Sequence, residues 1–463
     1  MNKQRSSFSS RIGFVLAAAG SAVGLGNLWR FPYLAAKYGG GIFLLVYIIL
    51  AVTFGFALMI TEIAIGRKTR LSCIGAYKAL DKRFGFLGWL ATLVPVIITP
   101  YYCVIGGWVM KYLFTFLSGG ALDAADGGDF FGSFIGFDAG SAFGTMFHFA
   151  GPTPWFLIFV LLTSVVVILG VEKGIEKASR IMMPVLAILS ILVAVYSLTI
   201  DGAIDGLKYY LLPDFSQFSA STVLGALGQL FYSMSLAMGI MITYGSYMQK
   251  ENILEHSVTQ IEIFDTLFAF VAGLMIIPAV VAFNGGDPSA INAGPGLMFV
   301  TLPMVFENMA FGTVVGAVFF VLVLFAALTS SISLMETVVS MVQDKLHWKR
   351  KPAVLGVTAL VLLLGIPSCL GYGPWGAVEL LGMKFLDFFD FISNSVLMPI
   401  VAFLTCIMIG HVVGTKVVSE EVELSGQFKR KKLFEVMIRW VAPILLVVIL
   451  IGEILKVTGI YTI

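Results

Sequence analysis

Apolar runs of about 20 residues recur from one end of this chain to the other, and they limit its fold more than any other feature. A bilayer core about 30 Å thick takes roughly 20 helical residues to cross. Inside it each backbone N–H and C=O must be paired, so only helices or closed barrels span it. Eleven runs are read, at 11–36, 41–66, 87–118, 154–171, 178–200, 222–248, 257–284, 310–342, 353–368, 384–410 and 434–456. Only 12% of the 463 residues are charged, about half the share of an ordinary soluble domain. The expectation is an all-α integral membrane protein with 11 transmembrane helices. The first eleven residues are polar and no cleavage site follows a short apolar core, so the first run is expected to remain as a span.

Charge placement sets the orientation. All but six of the 29 Lys and Arg residues (Arg30, Lys37, Lys111, Lys208, Lys384 and Lys456) fall in the N-terminal tail or the even-numbered connections. The positive-inside rule then puts the N-terminus in the cytoplasm, and eleven spans put the C-terminus outside. The opposite face differs in kind. Residues 119–153 hold Asp123, Asp126, Asp129 and Asp138 without a single Lys or Arg, and 283–309 is rich in Gly and Pro. A connection that long often packs as a lid.

Several chemistries are disfavoured. The four cysteines are scattered and give no disulfide framework. The four histidines have no zinc-ligand spacing, and no phosphate-binding glycine loop is present.

Two runs are interrupted, the first at SAVGLGN and the sixth at SMSLAMG (233–239). Broken helices at matching positions of two halves point to a transporter built from inverted repeats, and five spans per half force opposite orientations. The expected organisation is a tail at 1–10, a first five-helix repeat at 11–200, an inverted second at 201–410, and 411–463 carrying a cytoplasmic loop and the eleventh span. Unwinding in hydrocarbon frees backbone groups at several kcal/mol each, so something polar must meet them. Freed carbonyls suit a cation, and the positive end of a half-helix suits a carboxylate.

Gly20-x-x-x-Gly24 taken alone also reads as a helix-packing motif. Asn27 and Arg30 tip the balance, because a charge within a span usually faces an aqueous path and has a partner. Asp387 and Asp390 are the candidates for Arg30. Glu62, Gln229, Asp265 and Thr329-Ser330-Ser331 add further polar groups within spans. Hydroxyls in spans mostly bond back to their own helix, but a lone carboxylate there is functional by default. Oxygen ligands of this kind suit a hard cation such as sodium.

RIGFVLAAAGSAVGLGNLWRFPYLAAKYGGG, GQLFYSMSLAMGIMITYGSY and FAALTSSISLMETVVSMVQD closely resemble the first, sixth and eighth spans of the neurotransmitter:sodium symporters, whose bacterial members share the LeuT-type fold. The likeness runs from about residue 5 to 410. It implies a first sodium site at the Ala22 carbonyl, the Asn27 side chain, Ser233 and Asp265. A second is implied at the carbonyls of Gly20, Val23 and Ala326 with the hydroxyls of Thr329 and Ser330. A substrate carboxylate is expected against the Leu25 and Gly26 amides and the Tyr102 hydroxyl, and the amine against carbonyls of Ala22, Tyr232 and Ser233. Ile98, Tyr102, Tyr232, Ser235, Met238, Ser330 and Leu334 would line the side-chain pocket.

Gly24 stands where monoamine carriers of that family place an aspartate, so the resemblance favours an amino acid. An apolar, aromatic pocket favours a hydrophobic or aromatic side chain, and flexible Met238 suits several. Tyr102 and Tyr232 would close over it. Arg30 and Asp390 would form the outer gate, and Arg5 and Asp344, near Tyr247, the inner one. Phe8 replaces the family's usual tryptophan.

Asp265 is commonly Asn in the family, and chloride-dependent members have Ser where this chain has Ala269. Asp265 then reads as a built-in negative charge in place of chloride, offsetting two sodium ions beside a zwitterion at low dielectric. Many relatives have twelve spans, so a dimer built on the twelfth is not expected; monomer or weak dimer is. No nucleic acid partner is expected.

The overall expectation is a sodium-coupled, chloride-independent symporter for a hydrophobic or aromatic amino acid. It would sit in a bacterial plasma membrane and work by alternating access. A proton-coupled carrier using Asp265 and a non-transporting amino-acid sensor are the rivals. An enzyme is disfavoured for want of a catalytic constellation.

Overall fold

The computed structural model describes residues 6–126, 128–136, 151–288, 291 and 294–457. Among them the chain is helical, with extended pairing limited to the isolated bridges Gly40–Pro213 and Leu380–Met383. Eight helices are long and apolar enough to cross a membrane: Gly41–Thr69, Lys82–Leu117, Val171–Ser197, Leu254–Phe283, Gly312–Leu346, Arg350–Leu370, Phe385–Val412 and Lys431–Leu455. A ninth span results if Arg11–Ala22 and Gly26–Lys37 are taken together across their 52° bend. The remaining two expected runs are also helical but shorter. Pro152–Ile168 has 17 residues, and the 222–248 run is split into Ala220–Ser233 and Ile240–Tyr247.

Small residues let these helices approach closely, as expected where apolar lipid supplies no hydrophobic drive between spans. A Cβ on Gly66 would collide with the Ile242 carbonyl, and one on Gly245 with the Ile63 carbonyl. The Ile240–Tyr247 helix therefore crosses the second span in backbone contact at two reciprocal glycines. The Arg11–Ala22 half-helix lies against Leu254–Phe283, Gly312–Leu346 and Lys177–Ser197, which brings the first break to the middle of the bundle.

Part of the acidic connection at 119–153, residues 137–150, lies outside the described residues, as do 289, 290, 292 and 293 of the Gly/Pro-rich one. The latter still contains an apolar helix at Leu297–Glu307. Its Phe299 sits in an aromatic cluster with Trp29, Trp108 and Phe131 at centroid distances of 6.5, 5.8 and 5.3 Å. Tyr112 donates to the Phe299 carbonyl at 2.6 Å. The connection thus packs against the part of the first broken span that carries Trp29.

Candidate functional site

The first helix is capped by Ser10, whose hydroxyl accepts from Gly13 N–H, and it ends at Ala22. Val23 turns extended, with φ −74° and ψ 100°. The chain resumes with a wide turn in which Phe31 N–H reaches the Gly26 carbonyl, the i→i+5 pattern frequent at functional sites. Pro32 enters only near the start of the next helix, where its missing N–H costs little. Side chains take up the freed groups. Gly24 N–H donates to Asn27 Oδ1 at 3.2 Å, Leu25 N–H to the Tyr102 hydroxyl at 3.2 Å, and Gln229 Nε2 to the Gly26 carbonyl at 3.0 Å.

The second break runs from Met234 to Gly239. Ser235, Ala237 and Gly239 take left-handed φ values of 53°, 60° and 73°. For the two residues with a Cβ this costs about 1–3 kcal/mol each unless the surroundings enforce it. Two partners do so. Glu62 Oε1 accepts from Ala237 N–H at 2.7 Å, and Ser235 Oγ donates to the Ser21 carbonyl at 2.9 Å.

Around these breaks the side chains expected at the first sodium site meet. Asn27 Nδ2 donates to Ser233 Oγ at 2.8 Å and to Asp265 Oδ1 at 2.9 Å, and Ser233 Oγ donates to the same carboxylate oxygen at 2.7 Å. A residue not foreseen completes the cluster: Tyr47 donates its hydroxyl to Asp265 Oδ2 at 3.2 Å. All four are buried. Asp265 is thus a buried carboxyl group held by three neutral donors, with no basic partner among them.

The residues expected at the second sodium site lie on the first span and the Gly312–Leu346 helix. Ser330 Oγ lies 3.4 Å from both the Gly20 and Val23 carbonyls, and Thr329 Oγ1 lies 3.1 Å from the Ala326 carbonyl. The Ser330 contacts join the Gly312–Leu346 helix to the first break, and the Thr329 contact stays within its own helix.

Between the breaks lies a small cavity. Ala22, Gly24, Gly26, Ile98, Tyr102, Tyr232, Ser235, Met238, Ser330 and Leu334 line it, with Asn27 and two residues not foreseen, Ser21 and Ile240. Leu25 and Ser233, also expected here, do not line it; Leu25 reaches it through its amide bond to Tyr102. A Cβ on Gly24 would point at Ser330 Oγ (2.7 Å) and the Tyr102 hydroxyl (3.0 Å), and one on Gly26 would overlap the Tyr232 ring. Both glycines are needed for space.

The chain matches the Sodium:neurotransmitter symporter family over residues 5–121 and 140–462. It is similar to the sodium-dependent transporter YhdH of Bacillus subtilis, at 39% identity over 87% of each chain. A sodium-dependent transporter of Haemophilus influenzae is 34% identical over 98% of this chain and 99% of its own. Among solved structures, MhsT in complex with L-phenylalanine superposes with a TM-score of 0.85 at 37% identity, over 97% of this chain and all of the other. The chain belongs to the sodium:neurotransmitter symporter family. It is a multi-pass, sodium-dependent membrane transporter and not an enzyme.

A second, larger cavity shares Tyr232 with the first. Arg30, Asp387 and Asp390 line it, but no ion pair closes it. The Arg30 guanidinium lies over the Tyr232 ring at 5.8 Å. Asp390 instead accepts from Tyr101 at 3.0 Å and Asn394 at 2.6 Å, and Asp387 accepts from Tyr372 at 2.7 Å. Arg30 and Asp390 both line this cavity, each with other partners.

The residues expected around the inner gate are closely packed. Phe8 is fully buried and packs edge-on against Phe14, Tyr244 and Tyr247 at 5.6, 5.6 and 6.2 Å. Arg5 lies outside the described residues, so its pairing with Asp344 has no geometry here. Asp344 accepts from Ser72 N–H at 2.7 Å. Tyr247 donates to Glu336 at 2.8 Å, and Arg350 holds Glu336 at 2.6 Å. Glu176 accepts from Ser9 N–H and its hydroxyl, both at 2.7 Å, and from Arg180 at 2.5 Å. These latches were not legible: Glu336 and Glu176 are lone carboxylates amid other polar residues at span ends.

Proposed function

We propose that this symporter takes up a hydrophobic or aromatic amino acid with two sodium ions, independently of chloride, by alternating access. The observation that carries the reading is the cavity between the two breaks. Space left by the missing side chain of Gly24 faces Ser330 and Tyr102, where a carboxylate fits, and the remaining wall is mostly apolar. The complex of the similar MhsT with L-phenylalanine supports this substrate class.

In this reading the carboxylate meets the Leu25 and Gly26 amides and the Tyr102 hydroxyl. The amine meets carbonyls of Ala22, Tyr232 and Ser233. One sodium sits at Ala22, Asn27, Ser233 and Asp265 beside the carboxylate. The other sits at Gly20, Val23, Ala326, Thr329 and Ser330, holding the first span against the Gly312–Leu346 helix. Two sodium ions and a zwitterion leave net positive charge at low dielectric, and Asp265 offsets part of it without chloride. Arg30 and Asp390 draw together as the vestibule closes, while Arg5, Asp344 and Tyr247 part within the inner gate.

The architecture belonging to this cycle is eleven spans, with inverted repeats at 11–200 and 201–410. The N-terminus is cytoplasmic and the C-terminus outside, in an inner membrane, as a monomer or weak dimer.

The test is a binding screen over the twenty amino acids with and without sodium, followed by flux in proteoliposomes. Sodium-dependent binding and flux of apolar amino acids are expected. Flux driven by a pH gradient without sodium would establish a proton-coupled carrier instead. Sodium-dependent binding without flux would establish a sensor.

A further inference from the structure

A third carboxylate stands in the cavity that Arg30, Asp387 and Asp390 line. It is Glu453, from the Lys431–Leu455 helix. Between Trp440 and Leu455 it is the sole charged residue, and a charge within an apolar span faces an aqueous path and has a partner as a rule. The other two carboxylates are already supplied with donors. Asp387 accepts from Tyr372 at 2.7 Å, and Asp390 accepts from Tyr101 at 3.0 Å and Asn394 at 2.6 Å. Among the described residues Glu453 has neither a hydrogen bond nor an ion pair.

Arg30 is the base of opposite character in the same cavity. It lies over the Tyr232 ring and forms no ion pair with a described residue. Its guanidinium carries five N–H donors in a fixed fork, enough for two carboxylates at once. Acceptor positions are open on both candidates, since Asp390 takes its two bonds on Oδ1 and Glu453 takes none. The Ala220–Ser233 helix relates Arg30 to Glu453 in space. Arg30 Nη2 lies 3.8 Å from where a Cβ on Gly228 would stand, and Leu224 Cδ1 lies 3.4 Å from where a Cβ on Gly452 would stand. Residues 224 and 228 are four apart, neighbours on one face of that helix. The residue next to Gly452 is therefore carried close to the guanidinium, on a different helix from the one that bears Asp390.

We infer that Glu453 is a second carboxylate partner of Arg30 in the outer gate, so that the Lys431–Leu455 helix takes part in closing the transporter over its substrate. The inference rests on the gate reading above, in which Arg30 and Asp390 draw together. As the cavity narrows and loses water, a carboxylate left unpaired becomes costly. A gate made of Arg30 and Asp390 alone would leave Glu453 in that position beside a second negative charge. Sharing the guanidinium between the two carboxylates removes the cost and ties three elements together at the gate: the first broken span, the Phe385–Val412 helix and the Lys431–Leu455 helix. Glu453 acts through Arg30 and has no contact with the substrate in this arrangement, so it is a positioning residue.

The experiment follows release of radiolabelled L-phenylalanine or L-leucine from the purified, sodium-loaded full-length protein after addition of excess unlabelled amino acid. A closed gate retards release, so loss of a gate partner speeds it. Glu453→Gln is expected to release label roughly two- to fivefold faster than the natural protein, the worth of a partly exposed ion pair. In an Arg30→Gln background the same substitution is expected to change nothing, because the shared partner is gone. Unchanged release in Glu453→Gln overturns the inference. So does an equal acceleration in the Arg30→Gln background, which would show Glu453 acting on packing and not on Arg30. Should Glu453→Gln not bind the amino acid, Glu453→Asp is judged by the same two criteria. If Asp390→Asn speeds release and Glu453→Gln does not, only this inference fails and the gate reading stands. If Asp390→Asn does not speed release, the gate reading itself fails. If neither labelled amino acid binds with sodium, the amino-acid reading fails, and this inference with it.

Discussion

In the first break the backbone keeps ordinary dihedrals and the glycines supply room. Gly20, Gly24 and Gly26 face Thr329, Ser330 with Tyr102, and Tyr232, respectively, and none of them has a positive φ. The second break differs in its dihedrals: a Cβ on Gly239 would also stand 2.8 Å from Cys73 Sγ, but three of the six residues adopt left-handed φ, two of them with a Cβ. The first is open to what approaches it, with carbonyls turned to Ser330 and amides taken up by Asn27 and Tyr102. The second is held in shape from outside by Glu62 and Ser21. One break is built for close approach by ligands and the other for a fixed wall, so substitutions should act on binding in the first and on stability in the second.

The largest effect is expected from Gly26→Ala. Its Cβ would overlap the Tyr232 ring, and overpacking of about 1–3 kcal/mol weakens amino-acid binding by roughly 5- to 150-fold, read by equilibrium binding. Wild-type affinity in that variant would break the contrast. Next comes Asp265→Asn, which keeps Asn27, Ser233 and Tyr47 but removes the charge they share. Sodium-dependent uptake should fall roughly tenfold in chloride-free buffer and recover when chloride is added. A smaller, different effect is expected in the second break. Glu62→Leu leaves Ala237 N–H without its acceptor and should lower stability by about 1 kcal/mol or more, whereas Glu62→Gln keeps an acceptor. A thermal unfolding midpoint equal in the two variants would show that Glu62 does not hold the wall. Smallest is Gly20→Ala, whose Cβ would stand 3.2 Å from Met183 and Thr329. A shift of a few tenths of an ångström accommodates it, so a loss in sodium affinity below that of Gly26→Ala is expected in a sodium titration.

Much of the fold was legible because apolar length is read directly from sequence, and both breaks were placed within a residue or two. The shorter Pro152–Ile168 helix was read as one run among equals, since hydropathy does not report where a helix stops. Asn27, Ser233 and Asp265 stood out as polar atoms in hydrocarbon. Tyr47 did not: within GIFLLVYIIL its ring reads as core, and only the structure shows its hydroxyl on Asp265. Ser21 was hidden in the same way beside conspicuous glycines. The left-handed residues Ser235 and Ala237 carry no signal, because neither favours that conformation. Arg30 and Asp390 were legible as charges facing one path, but their partners Tyr232, Tyr101 and Asn394 were not.

The most direct test is uptake of a radiolabelled apolar amino acid into proteoliposomes under an inward sodium gradient, with gluconate replacing chloride throughout, for the natural protein and Asp265→Asn together. Concentrative uptake by the natural protein in gluconate, with the variant needing chloride, is the predicted result. No uptake by the natural protein until chloride is added, or full uptake by Asp265→Asn in gluconate, would contradict the account of Asp265 as the transporter's own counter-charge.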